Sequence, residues 1–336
     1  MQENITNSGA ATKVAAPESF IKAKKSAIWR DPYFWANWMV VIAFVVVTLT
    51  FTAIAPHNFA TLYNVNNILV ATAIPALVSI GQAFVIMTAG IDLSIPSLLA
   101  LSAVVFGILF AHGSPLIVCS AGAVITGAIA GFINGFVIAQ FKINDFIVTL
   151  GSLSVASGVA LVFSDGKPVQ IISASLSRLA TDQISVVPYL MVITLIALVI
   201  AHLVLTQTRF GTYVYATGGD PEVARAMGIK VKWIKISVYT ISGLLCGVAA
   251  ILTTARIGSA EPSSNTSILL NSVAAVVLGG VSLFGGRGTV IGTFIGAVLL
   301  QVVINGLTVI GVPQYYQYIA VGTVVIISAV LVRSAK

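Results

Sequence analysis

PLIVCSAGAVITGAIAGFINGFVIA, residues 115–139, decides the architecture: it carries no Lys, Arg, Asp or Glu anywhere. The roughly 30 Å hydrocarbon core of a bilayer needs about 20 mostly apolar residues as helix, and this run supplies them with residues to spare. Working outward from it, apolar stretches bounded by turn and charge signals predict ten spans. They lie near 36–55, 67–89, 94–111, 115–139, 145–163, 188–206, 235–255, 268–284, 289–310 and 315–332. The expected fold is all-α, a polytopic membrane helical bundle forming one domain over 36–333. Residues 1–35 are a polar, basic tail without the apolar stretch and small-residue cleavage site of a secretory signal.

Composition agrees. AVILMFWYC residues make up 58% of the 336 and charged residues only 8%, against about 25% charged in soluble domains. Twenty-seven charges cannot build a water-soluble surface for this mass. That excludes a disordered chain, a disulfide scaffold and a nucleic-acid-binding domain, and it makes lipid the solvent. Cys119 and Cys246 lie far apart in apolar runs and His57, His112 and His202 are scattered, so no metal or disulfide pattern is present.

Lys and Arg favour cytoplasmic loops. With the amino terminus inside, fourteen of the seventeen fall on the cytoplasmic side: five in the tail, Lys142, five over 207–235, Arg287, Arg333 and Lys336. Lys167, Arg178 and Arg256 are left outside. Both termini are therefore expected in the cytoplasm. Trp29, Trp35, Trp38 and Trp233 fall beside the same interface, and Tyr315, Tyr316 and Tyr318 mark the opposite one.

Three sets of glycines recur every four residues: Gly127, Gly131 and Gly135; Gly243 and Gly247; and Gly288, Gly292 and Gly296. Helices in lipid gain no hydrophobic drive toward each other, so small residues that let backbones approach supply the packing. Tight structural packing is the plain reading, and an interface that slides is the sharper one. Ionisable residues are nearly missing from the spans. Asp92 and Asp145 sit at span ends and Glu261 in an outer loop, whereas ion-coupled carriers keep a titrating or ligating group inside the membrane. Neutral polar residues do occur at depth: Gln82, Thr88, Asn134, Ser152, Ser154, Asn271, Gln301 and Asn305. They are read either as interhelical hydrogen bonds or as contacts for an uncharged, hydroxyl-rich solute. Gln82, Asp92, Asn134, Asn271 and Asn305 are the candidate pathway residues.

Within the cytoplasmic loop at about 207–234, Gly218-Gly219-Asp220-Pro221-Glu222-Val223-Ala224-Arg225 leads to Met227 and Gly228. Asp220 is an N-cap, Pro221 a first helical residue, Glu222 a charge suited to the dipole, and Gly228 a left-handed stop. The spacing predicts a helix over 221–227, with Val223, Ala224 and Met227 on one side and Glu222 pairing with Arg225. So short a helix is not stable alone in water; it docks either on its own bundle or in a groove of a soluble partner. Gly285-Gly286-Arg287-Gly288 lacks the Lys-Ser/Thr of a phosphate-binding loop and reads as a tight turn. No catalytic constellation is visible, so the chain is not expected to be an enzyme.

Four stretches in this order, Gly90-Ile91-Asp92-Leu93-Ser94, Phe146 to Gly151, Ala224 to Ile229, and Gly279 to Leu283 with Gly285 to Gly288, carry a resemblance. The chain resembles the permease subunit of bacterial ATP-binding-cassette importers of the ribose, xylose and galactose type. The resemblance implies a type II importer bundle of ten helices in the inner membrane, paired with a second copy or a sister permease. It also implies two ATPase subunits holding ATP and Mg, a periplasmic sugar-binding protein, and a coupling segment at 218–229. Pro96 and Asp145 depart from the family pattern, where Gly and Pro are usual. An ion-coupled secondary carrier of a neutral polar solute is the alternative.

Overall fold

The computed structural model describes residues 32–263 and 265–334; the basic residues and Trp29 of the tail, and Lys336, lie outside the described residues. The chain runs through α1 (Pro32–Ile54), α2 (Pro56–Phe59), α3 (Leu62–Met87), α4 (Ile95–Ala111), α5 (Leu116–Phe141) and α6 (Asp145–Phe163). A connection holding β1 (Val169–Gln170), α7 (Ala174–Thr181), β2 (Gln183–Ile184) and β3 (Val187–Pro188) follows. Then come α8 (Tyr189–Gln207), α9 (Arg209–Gly219), α10 (Pro221–Ala226), α11 (Val231–Ile257), β4 (Ser259–Ala260), α12 (Ser267–Leu278), α13 (Val290–Val309) and α14 (Gln314–Ser334). The strands only tie loops together, with β1 antiparallel to β4 and β2 to β3.

Among the described residues, six helices are long and apolar enough to cross a membrane: α3, α5, α6, α8, α11 and α13. Two of the expected spans fall below that length, the first close to its expected bounds and the second cut short. α4 has 17 residues, and α12 stops after 12 instead of continuing to 284. Gly280, Gly285, Gly286 and Gly288 all take positive φ, a region closed to most side chains. The chain beyond Leu278 therefore leaves helical geometry and returns as a loop. Twelve helical residues reach only about 18 Å.

The four-residue glycine spacing sets the centre of the fold. A Cβ on Gly135 would lie 2.7 Å from the Ile236 Cα, and Gly127 and Gly131 press as closely on Gly243 and on the Tyr239 carbonyl. α5 and α11 thus meet backbone to backbone. Gly292 and Gly296 do the same for α13 against Ala275 of α12 and Gly279, which caps α12, while Gly288 belongs to the loop before α13 and not to the helical stripe. α3 is the most enclosed span, with 78% of its apolar window buried, against 22% for α5 and 17% for α6. The outward faces of α5 and α6 are apolar, with Ile129, Phe132, Phe136, Ile147 and Val155 all exposed, which is what a lipid solvent permits.

Loops gather at two ends. One holds the α3–α4 and α5–α6 turns, α9, α10 and the 279–289 loop, with Lys142, Arg209, Arg225, Lys230, Lys232, Lys235 and Arg287; this is the basic end. The other holds the 112–115 turn, the 164–188 connection and the 258–266 loop.

Candidate functional site

A cavity of about 750 Å³ opens at the end opposite the basic one, between α3, α4, α11, α12 and α13. Its walls are set by two prolines. Pro75 lies inside α3, which runs on through it, and because proline has no N–H, the Ala71 carbonyl loses its ordinary helical partner; Ala71 and Pro75 both line the cavity. Pro96, in the first turn of α4, lines its deep end. Asn271 of α12, Gln301 of α13 and Thr254 of α11 add neutral polar groups, with Arg256 and Glu261 nearer the mouth. The Thr254 hydroxyl is buried with no hydrogen-bond partner among the described residues. Such a surface offers donors and acceptors to a neutral polar molecule and only one charge of each sign.

The five candidate pathway residues do not come together. Asn271 lines the cavity. Asn305 instead exchanges two hydrogen bonds of 2.9 Å with Asn64 of α3. Asn134 donates to Ser94 Oγ at 2.9 Å. Asp92, fully buried, accepts from Ser94 N at 3.0 Å, Ser94 Oγ at 2.5 Å and Ser242 Oγ at 3.0 Å. Gln82 is fully buried, and neither of its amide atoms has a partner among the described residues. Arg256, Glu261 and Thr254 were not among the candidates. Arg256 and Glu261 carried a usable signal, as charges of a predicted outer connection, whereas nothing in a lone Thr marks it.

Below the cavity, α3, α4, α6 and α11 are locked by polar groups. Asp145, at the start of α6, accepts from Lys235 Nζ at 2.7 Å and from the Tyr239 hydroxyl at 2.9 Å. Thr149 Oγ1 donates to the Ile91 carbonyl at 3.2 Å. Glycine permits this: a Cβ on Gly90 would lie 2.8 Å from the Tyr239 hydroxyl oxygen. Alongside, the 285–288 turn is wedged between α3 and α9. Gly286 N donates to the Met87 carbonyl at 2.9 Å, and the Tyr215 hydroxyl donates to the Gly288 carbonyl at 2.8 Å. Burial pushes the Tyr215 phenol above its ordinary range, which keeps it a neutral donor.

α10 stands at the basic end. Asp220 Oδ1 caps it, accepting from Glu222 N at 2.8 Å and Val223 N at 3.0 Å, and Glu222 pairs with Arg225. The helix is one residue shorter than expected: Met227 is its C-cap, and Gly228 takes φ +83°. Ala224 does not share the exposed side. It is 2% exposed and turned to the chain's own helices, whereas Val223 and Met227 are 55% and 75% exposed. Residues at i and i+1 stand 100° apart, so Ala224 anchors the turn that presents its neighbours. Gly218 presses on the Met87 and Gly286 backbone, while Gly219 has open space about it. The Pro221, Glu222 and Arg225 side also lines a cleft of about 280 Å³ shared with Asp145 and Lys235.

The family described as branched-chain amino acid transport system / permease component matches residues 64–329. The chain is similar to the ribose import permease protein RbsC of Escherichia coli (strain K12), 39% identical over 312 residues, 90% of this chain and 97% of that protein. It is also similar to the fructose import permease protein FrcC of Rhizobium meliloti, 35% identical over 303 residues covering 87% and 83%. With the D-allose transport system permease protein AlsC of Escherichia coli (strain K12) it shares 31% over 317 residues, 93% and 97% of the two chains. No solved structure matches.

Proposed function

This chain belongs to the branched-chain amino acid transport system / permease component family, and from that premise we propose that it is the membrane permease of an ATP-driven importer for a small uncharged sugar or polyol. The observation that carries the proposal is the cavity lined by Asn271, Gln301 and Thr254. Its neutral hydrogen-bonding groups suit the same solute class that the names of the ribose, fructose and allose permeases state.

In this reading the bundle is of the ten-helix type II kind, one permease domain over 36–333 with both termini in the cytoplasm, so the basic end faces the cytoplasm. The cavity then opens outward, where a periplasmic sugar-binding protein delivers solute. Val223 and Met227 seat in a separate ATPase subunit that holds ATP and Mg, with Gly218 to Gly228 as the coupling segment and Ala224 as its inward anchor. A second permease copy or sister permease completes the pathway. Closing the ATPase pair moves α10, and the difference in contacts between outward- and inward-open states does the work.

The ion-coupled alternative would use Asp92, the buried carboxylate. Both of its oxygens are already taken by serine hydrogen bonds, which argues for a structural part. Reconstitution separates the two. Vesicles with permease, ATPase and binding protein are expected to accumulate sugar on ATP addition, and the permease alone is not. Ion-driven accumulation by the chain alone would overturn the proposal.

A further inference from the structure

We infer that Gln82 is a second solute-binding position, closed in this state, which takes the solute's hydroxyl groups as they leave the cavity. The inference rests on the importer reading above and adds a residue to the solute's route. Gln82 is completely buried in α3, and neither Oε1 nor Nε2 has a hydrogen-bond partner among the described residues. A side-chain amide can give two hydrogen bonds and accept two. Burying all of that capacity unmet is costly, and an apolar side chain of the same length would avoid the cost. The amide is therefore unfavourable in the state seen here, and its use lies in another.

The position points to which use. Ala71 and Pro75 line the cavity. At 100° per residue, Gln82 lies within about 20° of the direction of Pro75, and seven residues place it about 10 Å deeper. It continues the cavity-lining face of α3 toward the basic end. The Ala71 carbonyl, which Pro75 cannot bond, starts that face; two buried side chains with unmet hydrogen-bonding capacity flank the route below it, the Thr254 hydroxyl of α11 at the cavity wall and Gln82 of α3. At the level of Gln82 the bundle is shut. A Cβ on Gly81 would lie 3.1 Å from the Ser242 Cα, and Ser242 in turn is held by Asp92 at 3.0 Å. Parting α3 from α11 at this contact would open the route at the level of the amide.

The test uses the permease assembled with its ATPase and binding protein, and D-ribose, D-allose and D-fructose as probes. Gln82→Met is expected to melt at or above the wild-type temperature while import slows at least fivefold. Its discrimination between the imported sugar and that sugar's monodeoxy analogues is expected to narrow at least threefold, an effect that a packing role would not produce. A lower melting temperature, or unchanged import and discrimination, overturns the inference. Gln82→Cys, with the buried free thiols Cys119 and Cys246 replaced by Ala, supplies an independent reading. It is expected to resist a polar maleimide at rest and to react during ATP turnover; protection throughout turnover overturns the inference. If the wild-type assembly imports neither these three sugars nor any other small uncharged sugar or polyol, the importer reading itself fails, a result distinct from either outcome at Gln82.

Discussion

Asp145 and Lys235, ninety positions apart, meet at 2.7 Å where α6 begins beside the first turns of α11. Each side chain is only 18% exposed, so the pair lies between the weak surface bridge, worth below about 1 kcal/mol, and the buried pair, whose breaking costs about 3–5 kcal/mol. Asp145→Asn is expected to cost about 1–3 kcal/mol, because it strands the ammonium, and Lys235→Met in the same chain is expected to restore much of it. Thermal melting of the wild type and these two variants in detergent checks this. A double variant no more stable than Asp145→Asn would show that the pairing is not what holds the two helices.

The glycine stripe makes a sharper contrast. Gly131→Ala drives a methyl into the Tyr239 carbonyl, whereas Gly151 and Gly158 of α6 have open space around them. We expect Gly131→Ala to destabilise the fold by several kcal/mol through forced separation of α5 and α11. Gly158→Ala is expected to be neutral or stabilising by up to about 1 kcal/mol from helix propensity. Equal melting temperatures for the two variants would refute the close α5–α11 approach.

At the basic end, Val223→Asp and Met227→Asp are each expected to release the ATPase on co-purification while leaving the permease melting curve in place, since both side chains are largely exposed. Ala224→Asp should instead lower the melting temperature, because its Cβ is turned inward. Asp220→Ala removes the cap and is expected to cost about 1 kcal/mol. An ATPase that stays bound to Val223→Asp and Met227→Asp, with import intact, would place coupling elsewhere.

Asn271 and Asn305 look alike in sequence and part company in the fold. Asn305→Leu breaks both hydrogen bonds of the reciprocal pair with Asn64 and is expected to cost about 1 kcal/mol, at an average of about 0.6 for each interhelical hydrogen bond in a membrane, with import preserved. Asn271→Leu removes a cavity-lining amide and is expected to reduce import several-fold with little change in melting. Uptake assays that rank the two the other way round would remove Asn271 from the pathway.

Much of this was legible residue by residue. The uncharged run over 115–139, the glycine spacing that seats α5 on α11 and the Asp220-Pro221 start of α10 are local properties of the chain. They rest on transfer to lipid, backbone approach and capping, and each acts within a few residues. The 268–284 expectation was too long because hydropathy averages over Gly279 and Gly280, which add little polarity and yet let the backbone leave the helix.

Side-chain polarity and size at fixed helical periods were enough to fix the lipid solvent, the all-α class and the glycine faces of α5 and α11. Which neutral polar residues pair with each other, and which face the cavity, emerges only when the helices assemble. An asparagine has the same chemistry in either place. What separates Asn305 from Asn271 is whether a partner such as Asn64, 241 positions away, arrives opposite it.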